Sequence, residues 1–455
     1  MLLNLAIIII AIIAGVLPAF LSYNFTMISE WFFIPIAFSI LLFAGSLVSK
    51  RNILQIVLMS LLILAIFFSP TFGSLRLQDF LLVLCVLAWI FTKKIKGYGA
   101  IFSSKYIAQL RNMILFFLGY SLVINMVHIL FGSLPINPSA IFYLKEIQYF
   151  VLFGFILFNH ERSDFMLKLF VVFMSIQVLW GLGQIVSGNH LGYYGIGLLG
   201  EGGPSQSGVF YFMSFALSLG YLLYSFIHKE KANKRWFYFF ASLACLLCVL
   251  GTVSRTSIMA SGATIALFLI FVLIKWPWYT FFITFLSSLT GTIGYTVLMN
   301  RQGSSTLITS VINRFTMFGT GSSVRMNKWE RDIGLIMDYG PGWLVGMGTA
   351  VHNVILGCST LAADSQYLRI IYEKGIIGLV IWIFLIVTLF QVIHKQKSYL
   401  GGLYYAWIFM ITGLLVTGVT HEVFYVVKVS EVFWLFTGIC IGLGFKRSAM
   451  QEAVH

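Results

Sequence analysis

Many separate, predominantly apolar runs of roughly 15 to 22 residues recur along the chain, and each is close to the roughly 20 residues a helix needs to cross the hydrocarbon core. The runs are Leu2 to Leu21, Trp31 to Val48, Ile53 to Phe68, Leu77 to Phe91, Met113 to Phe131, Ile141 to Phe158, Phe165 to Val186, Val209 to Ile227, Trp236 to Val253, Thr256 to Ile274, Trp278 to Met299, Tyr372 to Ile393, Leu403 to Val419 and Val426 to Phe445. Barrel strands would alternate apolar and polar residues, so these continuous runs predict an all-α polytopic membrane protein with about fourteen spans, twelve if the short pair at Ile53 and Leu77 is re-entrant. Either count leaves the same orientation downstream. The first run lacks a basic n-region and a small-residue cleavage site, and is expected to be retained as a span.

Composition agrees with the pattern: 59% of residues are hydrophobic and 10% charged, with a mean hydropathy of +0.94. Soluble domains lie far from this balance. The net charge of +14 invites a nucleic-acid partner, but its distribution points to topology instead. With the N-terminus inside, one side collects Lys50, Arg51, Lys93, Lys94, Lys96, Lys105, Arg111, Arg162, Lys168, Lys229, Lys231, Lys234, Arg235, Lys275, Lys395, Lys397, Lys446 and Arg447. The short connections on the other side hold Arg76, Lys145, Arg255 and Lys428, as the positive-inside rule requires. The remaining cations, Arg301, Arg314, Arg325, Lys328, Arg331, Arg369 and Lys374, fall in or just after one long outer connection, and long loops cross regardless of charge. Both termini are therefore expected in the cytoplasm, and no nucleic-acid partner is expected.

The chain then divides into residues 1–299, carrying the first eleven spans and a Gly-rich outer loop at 187–208, a large extracytoplasmic loop at 300–371, and residues 372–455 with the last three spans and a short tail. Glycine in SGNHLGYYGIGLLGEGGPSQSG permits close approach of backbone to a ligand. In the large loop, Met326, Trp329, Ile333, Ile336 and Met337 share one helical face, the pattern of a helix lying in the membrane interface, and Tyr339-Gly340-Pro341-Gly342 ends it. Cys85, Cys245, Cys248 and Cys440 lie in apolar runs, where cysteine acts as a small hydrophobe, and Cys358 stands alone in the large loop.

Ionisable residues inside spans usually mark function in a membrane protein, because an unpaired charge in hydrocarbon is costly. Asp79, His128, Lys145, Glu146, Lys428 and Glu431 are all expected near outer helix ends, which disfavours ion-coupled transport and favours work at the outer boundary. Arg255, in Val253-Ser254-Arg255-Thr256-Ser257, starts a helix with almost no loop before it. It is either an anchor holding helix-end carbonyls or a fork for phosphate oxygens. Arg314, Arg325 and Arg331 are on the same side, as loop charges or as partners of Arg255. The chain has no G-x-x-x-x-G-K-[ST] sequence and no D-x-D pair among its five aspartates, so no metal and no cofactor is expected. Arginine would then stabilise any phosphate chemistry.

Several elements bear a family likeness. Ser254-Arg255-Thr256 resembles the short "SRT" or "SRG" element of the O-antigen ligase/polymerase superfamily. Val324-Arg325-Met326-Asn327-Lys328-Trp329 resembles its "R…W" helix, and Gly346-Met347-Gly348 its "G-x-G" turn. Asp364-Ser365-Gln366-Tyr367-Leu368, followed by Glu373-Lys374-Gly375-Ile376-Ile377-Gly378, is similar to its "N-x-Y-L…E-x-G-I-I-G" re-entry into the membrane. Gly200-Glu201-Gly202-Gly203-Pro204-Ser205 looks like its earlier Gly/Pro outer loop. The match covers about residues 200 to 380.

The resemblance implies a GT-C-like bundle in the bacterial cytoplasmic membrane that polymerises undecaprenyl diphosphate-linked oligosaccharide repeat units into O-antigen, capsular or exopolysaccharide without a metal. Its partners would be the lipid-linked glycan, membrane lipid, a flippase and a chain-length regulator. Arg255, Arg314, Arg325, Arg331, Glu201 and Tyr367 would bind the diphosphate or the glycan, and Asp364, with His352 behind it, would take the acceptor proton. Asp364 has a second reading as a helix cap. Ligases of the superfamily place a histidine just before the "N-x-Y-L" element, where this chain has Ala363 and Asp364. Transfer to another acceptor and export of lipid-linked sugar are the competing functions.

Overall fold

A computed structural model describes residues 52–68, 71–72, 75–92, 104–131, 136–187, 196–198, 204–275 and 365–452, with 326–327, 329–330, 333–334, 337–338, 340 and 342–349 in the large loop. The described helices are α1 (Asn52–Phe68), α2 (Leu77–Thr92), α3 (Lys105–Leu130), α4 (Ile136–Phe158), α5 (Ser163–Ser187), α6 (Pro204–Ile227), α7 (Ala232–Gly251), α8 (Arg255–Lys275), α9 (Gln366–Lys395), α10 (Gly402–Gly418) and α11 (Val427–Glu452). A two-residue antiparallel ladder, Thr71–Phe72 against Leu75–Arg76, joins α1 to α2. The expected spans at Leu2, Trp31 and Trp278 fall outside the described residues. Each other expected span coincides with one of these helices.

Among the described residues, seven helices are long and apolar enough to cross a membrane, and Ile56–Phe68, Leu77–Leu87 and Gly402–Gly418 are shorter apolar ones. This is the composition of a polytopic membrane protein. α11 is the central helix: 94% of its most apolar stretch is buried, against 28% for α3 at the edge. Around α11, Phe436 stacks on Phe170 of α5 at 5.1 Å, and Trp434 meets Phe150 and Phe153 of α4 at 4.8 and 5.5 Å. α6 and α10 touch through small residues, as membrane helices do. A Cβ on Gly220 would overlap the backbone of Ala406, and one on Gly413 would overlap the ring of Phe212.

Helix ends gather as alternate crossing requires. At one end Lys446 pairs with Asp164 at 2.5 Å and Arg447 donates to the Tyr399 carbonyl at 2.7 Å. At the far end Tyr367 donates to the Leu415 carbonyl at 2.7 Å, and the Ile196 amide donates to Gly251 at 3.0 Å. The first of these is the lysine-rich end, and it unites residues that the charge pattern places on one side.

Several helices start earlier than their apolar runs, α4 and α9 among them. α4 begins at Ile136, before the run at Ile141, and α9 begins at Gln366, before the run at Tyr372. Glu146 therefore stands about 15 Å along α4 from its first residue, well inside the helix and away from its end.

Candidate functional site

The start of α9 is fastened to its neighbours. Ser365 caps it, its Oγ accepting the Leu368 amide at 3.5 Å, and the Gln366 side chain accepts the Phe424 amide at 2.9 Å. The helix then breaks at Gly375, whose φ of 67° and ψ of −177° lie outside any helix. A break inside a membrane bundle frees carbonyls that must find other donors. Here they do: the Met347 and Gly348 amides donate to the carbonyls of Tyr372 and Glu373 at 2.8 and 3.0 Å, and the Tyr120 hydroxyl donates to that of Lys374 at 3.1 Å. The G-x-G turn and the E-x-G break of the resemblance, distant in sequence, thus form one hydrogen-bonded unit.

That unit demands its glycines. Gly346 has a φ of 93°, and a Cβ there would stand 2.5 Å from the Lys374 backbone. The far-end half of α3 holds the turn from its other side. Asn125 accepts the Thr349 amide at 2.6 Å and donates to its hydroxyl at 2.7 Å. His128 Nε2, which must carry a proton for this bond, lies 3.1 Å from the Gly346 carbonyl.

A buried charged network surrounds the break. Lys374, 1% exposed, bonds Glu146 at 2.5 Å and the Tyr425 hydroxyl at 3.2 Å. Tyr425 donates to Glu373 at 2.5 Å, and Ser121 donates to the other Glu146 oxygen at 3.2 Å. Arg369 bonds Glu373 at 3.1 Å, pairs with Glu422, and stacks over the Tyr425 ring at 3.8 Å. Burial, and after it the carboxylates of Glu373 and Glu146, push the Tyr425 hydroxyl well above its ordinary range, so it stays a neutral donor. Beside this network Asp79 pairs with Lys145, while Gln148 donates to Asp79 at 2.6 Å and to Glu431 at 3.1 Å.

Arg255 opens α8 after a tight turn in which Val253 takes a φ of 55°, an uncommon conformation for a β-branched residue. Around it Ser254 bonds the hydroxyls of Thr256 and Ser257 at 3.1 and 3.0 Å, and Gly208 of α6 fits against Ser254 and Ser257 with no room for a Cβ. Arg255 is half-buried at the far end, the end that also holds Tyr367. Tyr367 ties α9 to α10 through its hydroxyl bond to Leu415, and its ring packs on Trp382 beyond the break in α9. Arg255 and the network occupy different parts of that end: α8 packs on α6 and α10, whereas the network joins α3, α4, α9 and the α10–α11 turn.

Glu201, Arg314, Arg325, Arg331, His352 and Asp364 lie outside the described residues, as does Cys358. In the expected interfacial helix the described positions Met326, Ile333 and Met337 are exposed and Trp329 is half-buried.

The network was hidden in the sequence because Arg369 and Lys374 read as loop charges and Glu146 as a helix-end residue. Two signals were present: Arg369 and Glu373 are spaced i,i+4, and Gly375 interrupts the approach to an apolar run. No model of a known protein family matches the chain, and no curated protein matches it.

Proposed function

We propose that the chain is a Wzy-type polymerase, joining undecaprenyl diphosphate-linked oligosaccharide repeat units by glycosyl transfer at the outer face of the bacterial cytoplasmic membrane. The observation that supports this reading best is the union of Gly346-Met347-Gly348 with Glu373-Lys374-Gly375. Two short elements that resemble that superfamily in sequence also interlock in space, at the end of the bundle that begins α8 with Arg255. The positive-inside rule turns the lysine-rich end to the cytoplasm and this end outward, with the C-terminal tail inside.

In this reading Arg255, with Arg314, Arg325 and Arg331, holds the diphosphate as negative charge develops on the leaving group. Asp364 takes the proton of the acceptor hydroxyl, which attacks the anomeric carbon as the bond to the carrier phosphate breaks. Glu201 and Tyr367 contact the glycan. Membrane lipid, a flippase and a chain-length regulator are its partners.

The test is direct. Purified protein given only undecaprenyl diphosphate-linked repeat units, with a chelator and no nucleotide, should build a ladder of longer products. A ligase would leave the units unchanged until a second acceptor was added. A ladder abolished by the chelator would overturn the metal-free mechanism. An exporter is the second reading, favoured by the Lys374–Glu146 pair inside the bundle, since buried ionisable groups line transport paths. It would build no ladder under any condition.

A further inference from the structure

Several cations at the lysine-rich end of the bundle are held within it. Lys446 and Arg447 both meet Asp164, at 2.5 and 3.8 Å, while Lys395 lies over the ring of Tyr106 at 5.4 Å and Lys397 over that of Tyr404 at 5.3 Å. The turn that joins α6 to α7 differs. It belongs to the same end, since Gly401 and Gly402 pack on Tyr224 and Tyr221 of α6. The stretch His228-Lys229-Glu230-Lys231-Ala232-Asn233-Lys234-Arg235 carries four full positive charges and one carboxylate, Glu230, which Lys234 takes at 3.1 Å. Among the described residues Lys229 and Lys231 have no ion-pair partner, and both are exposed.

α7 then begins in a way that its own electrostatics oppose. Its N-cap is Lys231, no side chain caps it, and its first turn holds no acidic residue. Helix starts favour anions, because their first amides have no partner within the helix. Lys229 departs from the usual pattern as well: with a φ of 51° it closes the end of α6 in the left-handed region, where glycine is the usual residue. Just beyond, Trp236, Phe237, Phe239 and Phe240 are exposed on α7. They stand about 6 to 12 Å along the helix from Ala232, a spacing that puts the rings between headgroups and acyl chains when the lysines lie among the headgroups. The complement of such a surface is an anion that carries hydrocarbon.

We propose that the α6–α7 turn and the start of α7 bind acidic phospholipid, with Lys229 and Lys231 on the headgroup and the rings from Trp236 to Phe240 against its acyl chains. The headgroup supplies the anion that the start of α7 lacks. The proposal goes beyond the polymerase reading and does not depend on it.

The full chain in phosphatidylcholine discs, titrated with phosphatidylglycerol brominated on its acyl chains, reports this contact through quenching of Trp236, taken as the difference between the parent and Trp236→Phe. Brominated phosphatidylglycerol should associate about 25-fold more strongly than brominated phosphatidylcholine, about fivefold for each of the two lysines. Lys229→Gly removes one cation and relieves the left-handed backbone, so it should melt no lower than the parent and keep a preference of only about fivefold. Lys229→Gly with Lys231→Ala should have almost none. Lys105→Ala with Lys168→Ala removes two exposed cations that the charge pattern places on the same side, and should leave the preference within about twofold of the parent's. Equal quenching by the two lipids in the parent overturns the proposal, and if inorganic phosphate then raises the melting temperature, the surface takes a free anion instead. An equal loss in Lys105→Ala with Lys168→Ala also overturns it, because the net charge of that whole face would then set the preference and not this turn.

Discussion

Gly375 lies with its Cα against the carbonyl oxygen of Leu344, so close that a Cβ would overlap it. Its φ of 67° would strain any other residue as well. Gly375→Ala should therefore push the 342–349 turn away from α9 and lower thermal stability in detergent, at a cost of about 1–3 kcal/mol. Gly262→Ala is the control, because nothing lies within 4 Å of a Cβ built there. It should be neutral or slightly stabilising. Equal melting behaviour of the two variants would show that the docking does not contribute to the fold.

The network makes a second prediction, on charge. Arg369→Met removes the cation that Glu373 and Glu422 share and should destabilise by roughly 3–5 kcal/mol, the usual result of breaking a buried pair from one side. Tyr425→Phe removes a neutral donor and should cost about 1–3 kcal/mol. Because the Tyr425 proton is held far above its ordinary range, the phenol is protonated in both folded and unfolded chains below about pH 10. Its contribution is present in full there and is lost only above that pH, where the unfolded phenol ionises first. The penalty of Tyr425→Phe should be flat between about pH 6 and 9, and a penalty that changed in that window would mean that another group supplies the proton.

Helix existence was legible in the sequence because long apolar runs admit few other structures in lipid. Helix beginnings were less so. Ile136 and Gln366 start helices before hydrophobicity begins, since tertiary contacts such as those of Gln366 and Tyr367 hold segments that hydropathy alone leaves outside. Of the candidate site, Arg255 and the two glycine elements were visible as local motifs. The pairing of Glu146 with Lys374 and of Arg369 with Glu422 was not, because an ion pair between distant segments cannot be read from either residue alone.

The charge pattern predicts that the end with Lys446, Arg447 and Lys395 faces the cytoplasm and that the far end, which bears Arg255, faces out. Single cysteines replacing Ser205 and Ser322 should react with an impermeant thiol reagent on intact cells, and cysteines replacing Ser103 and Asn233 should not. Labelling at position 233 would reverse every side assignment made above.

Arg255 separates a fork from an anchor. Arg255→Lys keeps the charge but cannot reproduce paired contacts to phosphate oxygens, so it should lose much of the ladder activity. Arg255→Ala should lose nearly all of it while still accumulating in the membrane. Full activity of the alanine variant would leave Arg255 as an anchor for the strained turn at Val253.

The identity of the base gives the sharpest result. If Asp364 accepts the acceptor's proton, Asp364→Asn should abolish the ladder while the lipid-linked unit still binds, because the amide keeps shape and hydrogen bonding but has no comparable basicity. The loss should be about 100-fold or more in kcat, the usual worth of a general base. His352→Ala should then retain most of the activity. The opposite pattern, elongation surviving Asp364→Asn and vanishing in His352→Ala, would transfer the role to the histidine and take it from Asp364, since Ser365 already caps α9.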